Sequence, residues 1–168
     1  MKKTLSFKLR FTVLRFFLIV LCFHLQSCEK EQEQNSISIN LDKQIRLNFP
    51  YMSVFTNSTS GVILSPGFSL IDFNKSNYEN VDSIVFSASI STDDTTAHCI
   101  AELFDLTDNI VIFNSLIETN KHNTVWVESK NIFASLPDKN IDLSIKLRTD
   151  KQGSGASIFD ALILIYRK

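Results

Sequence analysis

An antiparallel β-sandwich or barrel is the fold this sequence predicts, and three observations predict it. Apolar and polar residues alternate with a period of two in run after run. The runs are short, and clusters of Ser, Asn, Asp, Pro and Gly separate them at spacings of roughly 8–15 residues. After residue 36 no amphipathic helical stretch exceeds two turns.

The clearest run is 141–147, where Ile141, Leu143, Ile145 and Leu147 share one face. Side chains alternate across a strand, so this spacing is that of a half-buried strand and not of a helix. Residues 84–90 behave alike, with Ile84, Phe86, Ala88 and Ile90 directed inward. Ile37, Ile39 and Leu41 open another strand, continued by Ile45, Leu47 and Phe49. Further strands are expected at 61–64, 97–106, 110–114, 124–128 and 157–166. The last is apolar on both faces, as a strand in the middle of its sheet must be. Turn chemistry falls at 65–67, 91–96, 107–109, 136–140 and 151–155. Asp108-Asn109 suits a tight hairpin, because both residue types tolerate turn conformations and bond locally to the backbone. Residues 37–168 therefore read as one β-sandwich domain without an internal repeat. A chain of this length buries about two-thirds of its unfolded surface, enough for a core without staples.

Charge is unevenly spread. The 168 residues carry 17 basic and 18 acidic side chains, but Lys2, Lys3, Lys8, Arg10 and Arg15 stand in the first 27, which hold no acid. The remainder has 12 basic and 18 acidic residues, a formal charge of −6. An acidic domain without a basic run is a poor nucleic-acid binder, since Lys and Arg supply most of that affinity. The basic start is followed by an apolar stretch from Phe11 to Leu25, broken by Arg15 and His24. It falls short of the about 20 apolar residues of a membrane span and has the shape of an export signal, residues 1–27. No Ala precedes Ala88, so an Ala-x-Ala cleavage site is not available.

What closes the signal is Leu25-Gln26-Ser27-Cys28. This resembles the lipobox of bacterial lipoproteins, with Gln26 departing from the usual residue before the small Ser27. The resemblance implies cleavage before Cys28, lipidation of its sulfur and amine, and a membrane partner reached through that anchor. Acyl chains at about 0.8 kcal/mol per buried methylene would hold a small domain on a bilayer. Residues 28–36, acylated Cys and then an acidic polar run, form a tether. Glu29 is not the Asp that commonly marks inner-membrane retention in lipoproteins, which favours the outer membrane, on its periplasmic or cell-surface face. The acidic run also resembles a surface-export tag, and a plain solvated linker explains it equally well. Cys99 is the one cysteine left unmodified, so no disulfide forms within the mature chain, and its alternation with Ala97 and Ala101 makes it a small buried residue.

Residues 101–108, 126–129, 146–149 and 155–165 together resemble bacterial jelly-roll domains of the galactose-binding-like and carbohydrate-binding-module kind. The resemblance rests on strand patterning and covers about 70 residues from Ala101 onward. It implies a jelly roll and leaves the ligand open, since that fold hosts sugar binders, adhesive domains and structural modules.

Chemistry-bearing patterns are sparse, and no catalytic residue is assigned. Four glycines, at 61, 67, 153 and 155, exclude a Gly-x-Ser-x-Gly elbow, and His98 and His122 are the histidines beyond the signal. His98 falls mid-strand on the face of Glu102, and His122 falls in a loop. Zinc lacks ligand types in paired spacing. No cofactor is expected, with one exception: Asp105 and Asp108 (or Asp93-Asp94) could supply oxygens to a structural calcium, although Asp and Asn also serve turns. Trp126 is the candidate sugar platform. If Val125 and Val127 face inward, its indole faces out beside Glu128, near His122, with Arg148 as a further hydroxyl partner. The opposite reading buries Trp126 under a neighbouring element. The function expected is a surface-exposed, non-catalytic binding or adhesion module, for carbohydrate or for a neighbouring envelope protein. The alternatives are an accessory subunit recognising an envelope protein and, third, a glycoside hydrolase using carboxylates among Glu102, Glu118, Glu128 and Asp160.

Overall fold

The computed structural model describes residues 43–50, 52–64 and 66–168. The export signal, Cys28, the tether and the run at Ile37, Ile39 and Leu41 lie outside the described residues. Asp42–Lys168 forms a unit of its own.

Eleven strands are described: β1 (Gln44–Asn48), β2 (Val54–Thr56), β3 (Val62–Ile63), β4 (Leu70–Phe73), β5 (Val81–Thr92), β6 (Cys99–Asp105), β7 (Ile110–Val111), β8 (Ile117–Thr119), β9 (Val125–Glu128), β10 (Ile141–Thr149) and β11 (Ala156–Arg167). Among the described residues the helical elements are three short 3-10 turns. All pairings are antiparallel and form two sheets. In the first, β1 and β2 follow one another along β11, β11 pairs with β5, and β5 with β9. In the second, β3 and β4 lie along β10, β10 pairs with β6, and β6 with both β7 and β8. The pairings are nested: the first strands meet the last, β3 and β4 meet β10, β5 meets β9, and β6 meets β7 and β8.

The two inner faces meet in one core. Ile84, Phe86, Ala88 and Ile90 of β5 face it from the first sheet, and Ile141, Leu143, Ile145 and Leu147 of β10 from the second, all within the same apolar cluster. Every inward position of these two runs is thus buried, and Ile45 and Leu47 of β1 pack against the same core partly buried. Phe49 meets Phe86 edge to face at 6.4 Å, adding an aromatic contact to the area buried. Long β11 runs down the middle of the first sheet. Its apolarity on both faces has two sources: its neighbours shade the outward Leu162 and Leu164, and the strand carries a β-bulge. Ile158 pairs with Ile90 and Asp160 with Ser89, so Phe159 is one residue too many. The bulge flips the inward parity from Ala156 and Ile158 to Ala161, Ile163 and Ile165, all of which are buried.

Other segments depart from the alternation. The strand expected at 61–64 is limited to β3, and β2, β4 and β8 were not foreseen. Asp72, in β4, is left-handed at φ 54° and gives its N–H to Asp142 Oδ1 at 3.0 Å, which spoils any period-two pattern. The run 110–114 ends after Val111. Asn114 is left-handed at φ 65°, and the buried Ser115 hydroxyl donates to Ile112 O at 2.7 Å while accepting the Leu103 N–H at 2.9 Å. One side chain thus replaces a stretch of ladder, and the chain rejoins the sheet as β8. The 106–109 turn between β6 and β7 is a tight one, with Asn109 left-handed at φ 57°.

At the far end of the sandwich, side chains join the loop after β5 to the loop after β10. Asp94 accepts from Thr96 N and Oγ1 (2.8 and 2.7 Å), Lys151 Nζ (2.7 Å) and Ser154 Oγ (3.0 Å). Those donors, Lys151 first, hold its carboxyl well below the usual carboxylate range. His98 lies in the segment before β6, not mid-strand. Its N–H and ring Nδ1 meet the two oxygens of Asp150, each at 2.7 Å, and lower that carboxyl, the backbone N–H contributing most.

Candidate binding face

The outer face of the first sheet is built by register. One row across the strands reads Asp160, Ser89, Trp126; the next reads Asn48, Leu162, Ser87, Glu128; the next reads Arg46, Leu164, Val85. The middle strand, β5, contributes only short hydroxyls to the first two rows. Ser87 is 3% exposed and Ser89 7% exposed although both point outward, because taller neighbours on β9 and β11 shade them. Their hydroxyls enter none of the side-chain hydrogen bonds that tie the loops together. The outcome is a trough of about 350 Å³ lined by Arg46, Ser87, Trp126, Glu128, Leu162 and Leu164. Trp126 is 53% exposed, with Val125 and Val127 partly buried on either side. Small residues under a wide aromatic wall give a ligand an apolar seat, with a carboxylate and a guanidinium at the rim.

The sequence candidates separate. Trp126 and Glu128 stand together on β9. Arg148 is not with them: it faces out from the second sheet, where its Nε lies 3.7 Å from Glu102 Oε2. Alternation shows that a residue faces solvent but not which sheet carries it. Arg46 stands where Arg148 was expected. The period-two run Ile45-Arg46-Leu47 already turned it outward, yet nothing local said that β1 borders β11. His122 is exposed in the loop joining β8 to β9, which is pinned where Thr92 N donates to Lys121 O at 2.9 Å. It does not line the trough. Asp160 and Glu128 share the trough's face from strands two spacings apart, roughly 10 Å between backbones.

Asp105 and Asp108 do not converge. Asp105 faces inward at the end of β6 and its Oδ1 accepts the Thr107 and Asp108 N–H groups at 2.8 and 3.1 Å, a turn-capping role. Its other oxygen is buried without a partner among the described residues. Asp108 turns outward to Lys139 Nζ at 2.6 Å. Among the described residues no three His, Cys, Asp or Glu side chains are grouped to hold a metal ion. Cys99 is buried, and loss of solvent pushes its thiol up to about 12.

A second surface feature lies beside β7. Val111, Phe113 and Leu116 are exposed, Phe113 at 75%, around a hollow of about 480 Å³ that Glu102 and Lys130 also line, with exposed Ile110 nearby in the chain.

No family model matches this sequence, and no curated protein is similar to it. Three chains among the solved structures are similar to it. One is the structure of infectious bursal disease virus Gx strain, 11% identical with a TM-score of 0.42. The match covers 74% of this chain and 32% of that one, so this chain spans about a third of its length.

Proposed function

We propose that this protein is a bacterial lipoprotein, anchored in the outer membrane through Cys28, whose jelly-roll domain binds carbohydrate without catalysing a reaction. The observation that carries the reading is the half-exposed Trp126 over a trough floored by Ser87, Leu162 and Leu164, with Glu128 and Arg46 at its rim. An indole face stacks on the C–H surface of a pyranose, and the carboxylate, guanidinium and serine hydroxyls match its ring hydroxyls. The nested strand pairing supports the jelly-roll description, and the lipobox with its acidic tether supports the anchor. The test is a glycan array probed with the full chain and with Trp126→Ala. Binding that disappears in the variant supports the reading; silence from both sinks it.

The second reading, a subunit that recognises an envelope protein, is favoured by the apolar surface around Phe113. Cross-linking in the envelope that captures one partner, lost in Phe113→Ser, supports that reading instead.

A further inference from the structure

We infer that the ligand of the trough is a neutral glycan of at least two sugar units, lying across the strands from Trp126 to Phe159. This rests on the proposed reading of the face as a carbohydrate site. The bulge in β11 is the starting point. A one-residue insertion re-aims side chains, and here it delivers Phe159 and Asp160 in succession where strict alternation would send one of them inward. Both are exposed, Phe159 at 39%, and Phe159 takes no part in the core cluster.

Asp160 stands in the same row as Trp126 with one residue between them, the shaded Ser89. The backbones of β11 and β9 are two strand spacings apart, roughly 10 Å. That is wider than a single pyranose ring. A sugar stacked on Trp126 reaches as far as Ser89, and a second unit is needed to meet Asp160 and Phe159. Asp160 Oδ1 accepts the Ala161 N–H at 2.9 Å, while its other oxygen enters no described hydrogen bond and is free to accept from sugar hydroxyls. Charge narrows the class. Across this face two carboxylates, Glu128 lining the trough and Asp160 in the row beside it, stand against one guanidinium, Arg46, an arrangement that repels uronates and sulfated sugars and suits neutral hydroxyls.

The experiment is calorimetric titration of the full chain, its Phe159→Ala and Phe159→Tyr variants, and Trp126→Ala. The probes are the mono-, di- and tetrasaccharides of the neutral sugar giving the strongest array signal, with a uronate oligosaccharide as counter-probe. The wild type is expected to gain about tenfold in affinity from mono- to disaccharide, the size of one aromatic contact. Phe159→Ala removes that gain and keeps monosaccharide binding, Phe159→Tyr retains the gain, and Trp126→Ala loses both. An unchanged melting temperature shows that the variants fold. The same length dependence in Phe159→Ala overturns this inference and leaves the carbohydrate reading standing. Preference for the uronate overturns the neutral class. Absence of wild-type binding to every saccharide overturns both.

Discussion

Trp126 is the chain's one tryptophan, so its fluorescence reports a single environment. Half exposed above the trough, it is expected to emit at long wavelength and to be quenched by iodide; a blue, unquenched emission would place the indole in the core. Asp94 carries a pH prediction. Its folded-state carboxyl titrates below the unfolded value of about 3.9, so its contribution to stability is present above that value and lost as pH falls toward the folded pKa. Asp94→Asn should lower the melting temperature at pH 7, with the difference from wild type shrinking in strong acid. A difference independent of pH would mean that the loops are held by something other than this charge. Trp126 and Glu128 were legible as sharing one face because they sit two apart in one strand. Arg148 and Arg46 were not distinguishable, because each alternates correctly and the difference lies in which sheet it joins.

At the scale of the element, the bulge in β11 is the feature with consequences. Phe159 is the extra residue that lets Ile158 and Ala161 both face the core. Deleting Phe159 should force Ala156 and Ile158 outward or break the pairing with β5, abolishing a cooperative melting transition, whereas Phe159→Ala should melt within a few degrees of wild type. Equal melting of the two variants would show that the register does not depend on the insertion. The long strands β5 and β10 were legible because each buries an alternate face, and β11 because its run is apolar on both faces. The strands β4 and β8 were not, because left-handed Asp72, its N–H on the Asp142 carboxylate, and left-handed Asn114 with the Ser115 bridge to Leu103 N interrupt the pattern, and β2 is only three residues long.

The described domain is two sheets closed over one core, and burial there is expected to outweigh surface contacts in its stability. Ile145→Ala, at a fully buried inward position of β10, should cost about 2–5 kcal/mol in a denaturant titration. Arg148→Ala, breaking a partly exposed ion pair whose members stand 3.7 Å apart, should cost less than about 1 kcal/mol. Comparable losses would mean that the second sheet is held from outside. At the cellular scale, Cys28→Ala should move the protein from the membrane fraction to the soluble one, and unchanged fractionation would end the lipoprotein proposal. The sequence by itself determined the β class and the inward faces of β5 and β10, because a period-two pattern records which side meets water; it left Trp126 open between a solvent-facing and a buried position. Only the tertiary structure decided which strands are neighbours. The trough exists because β1, β11, β5 and β9 lie side by side with serines in the middle, and pairing between strands far apart in the chain leaves no local trace.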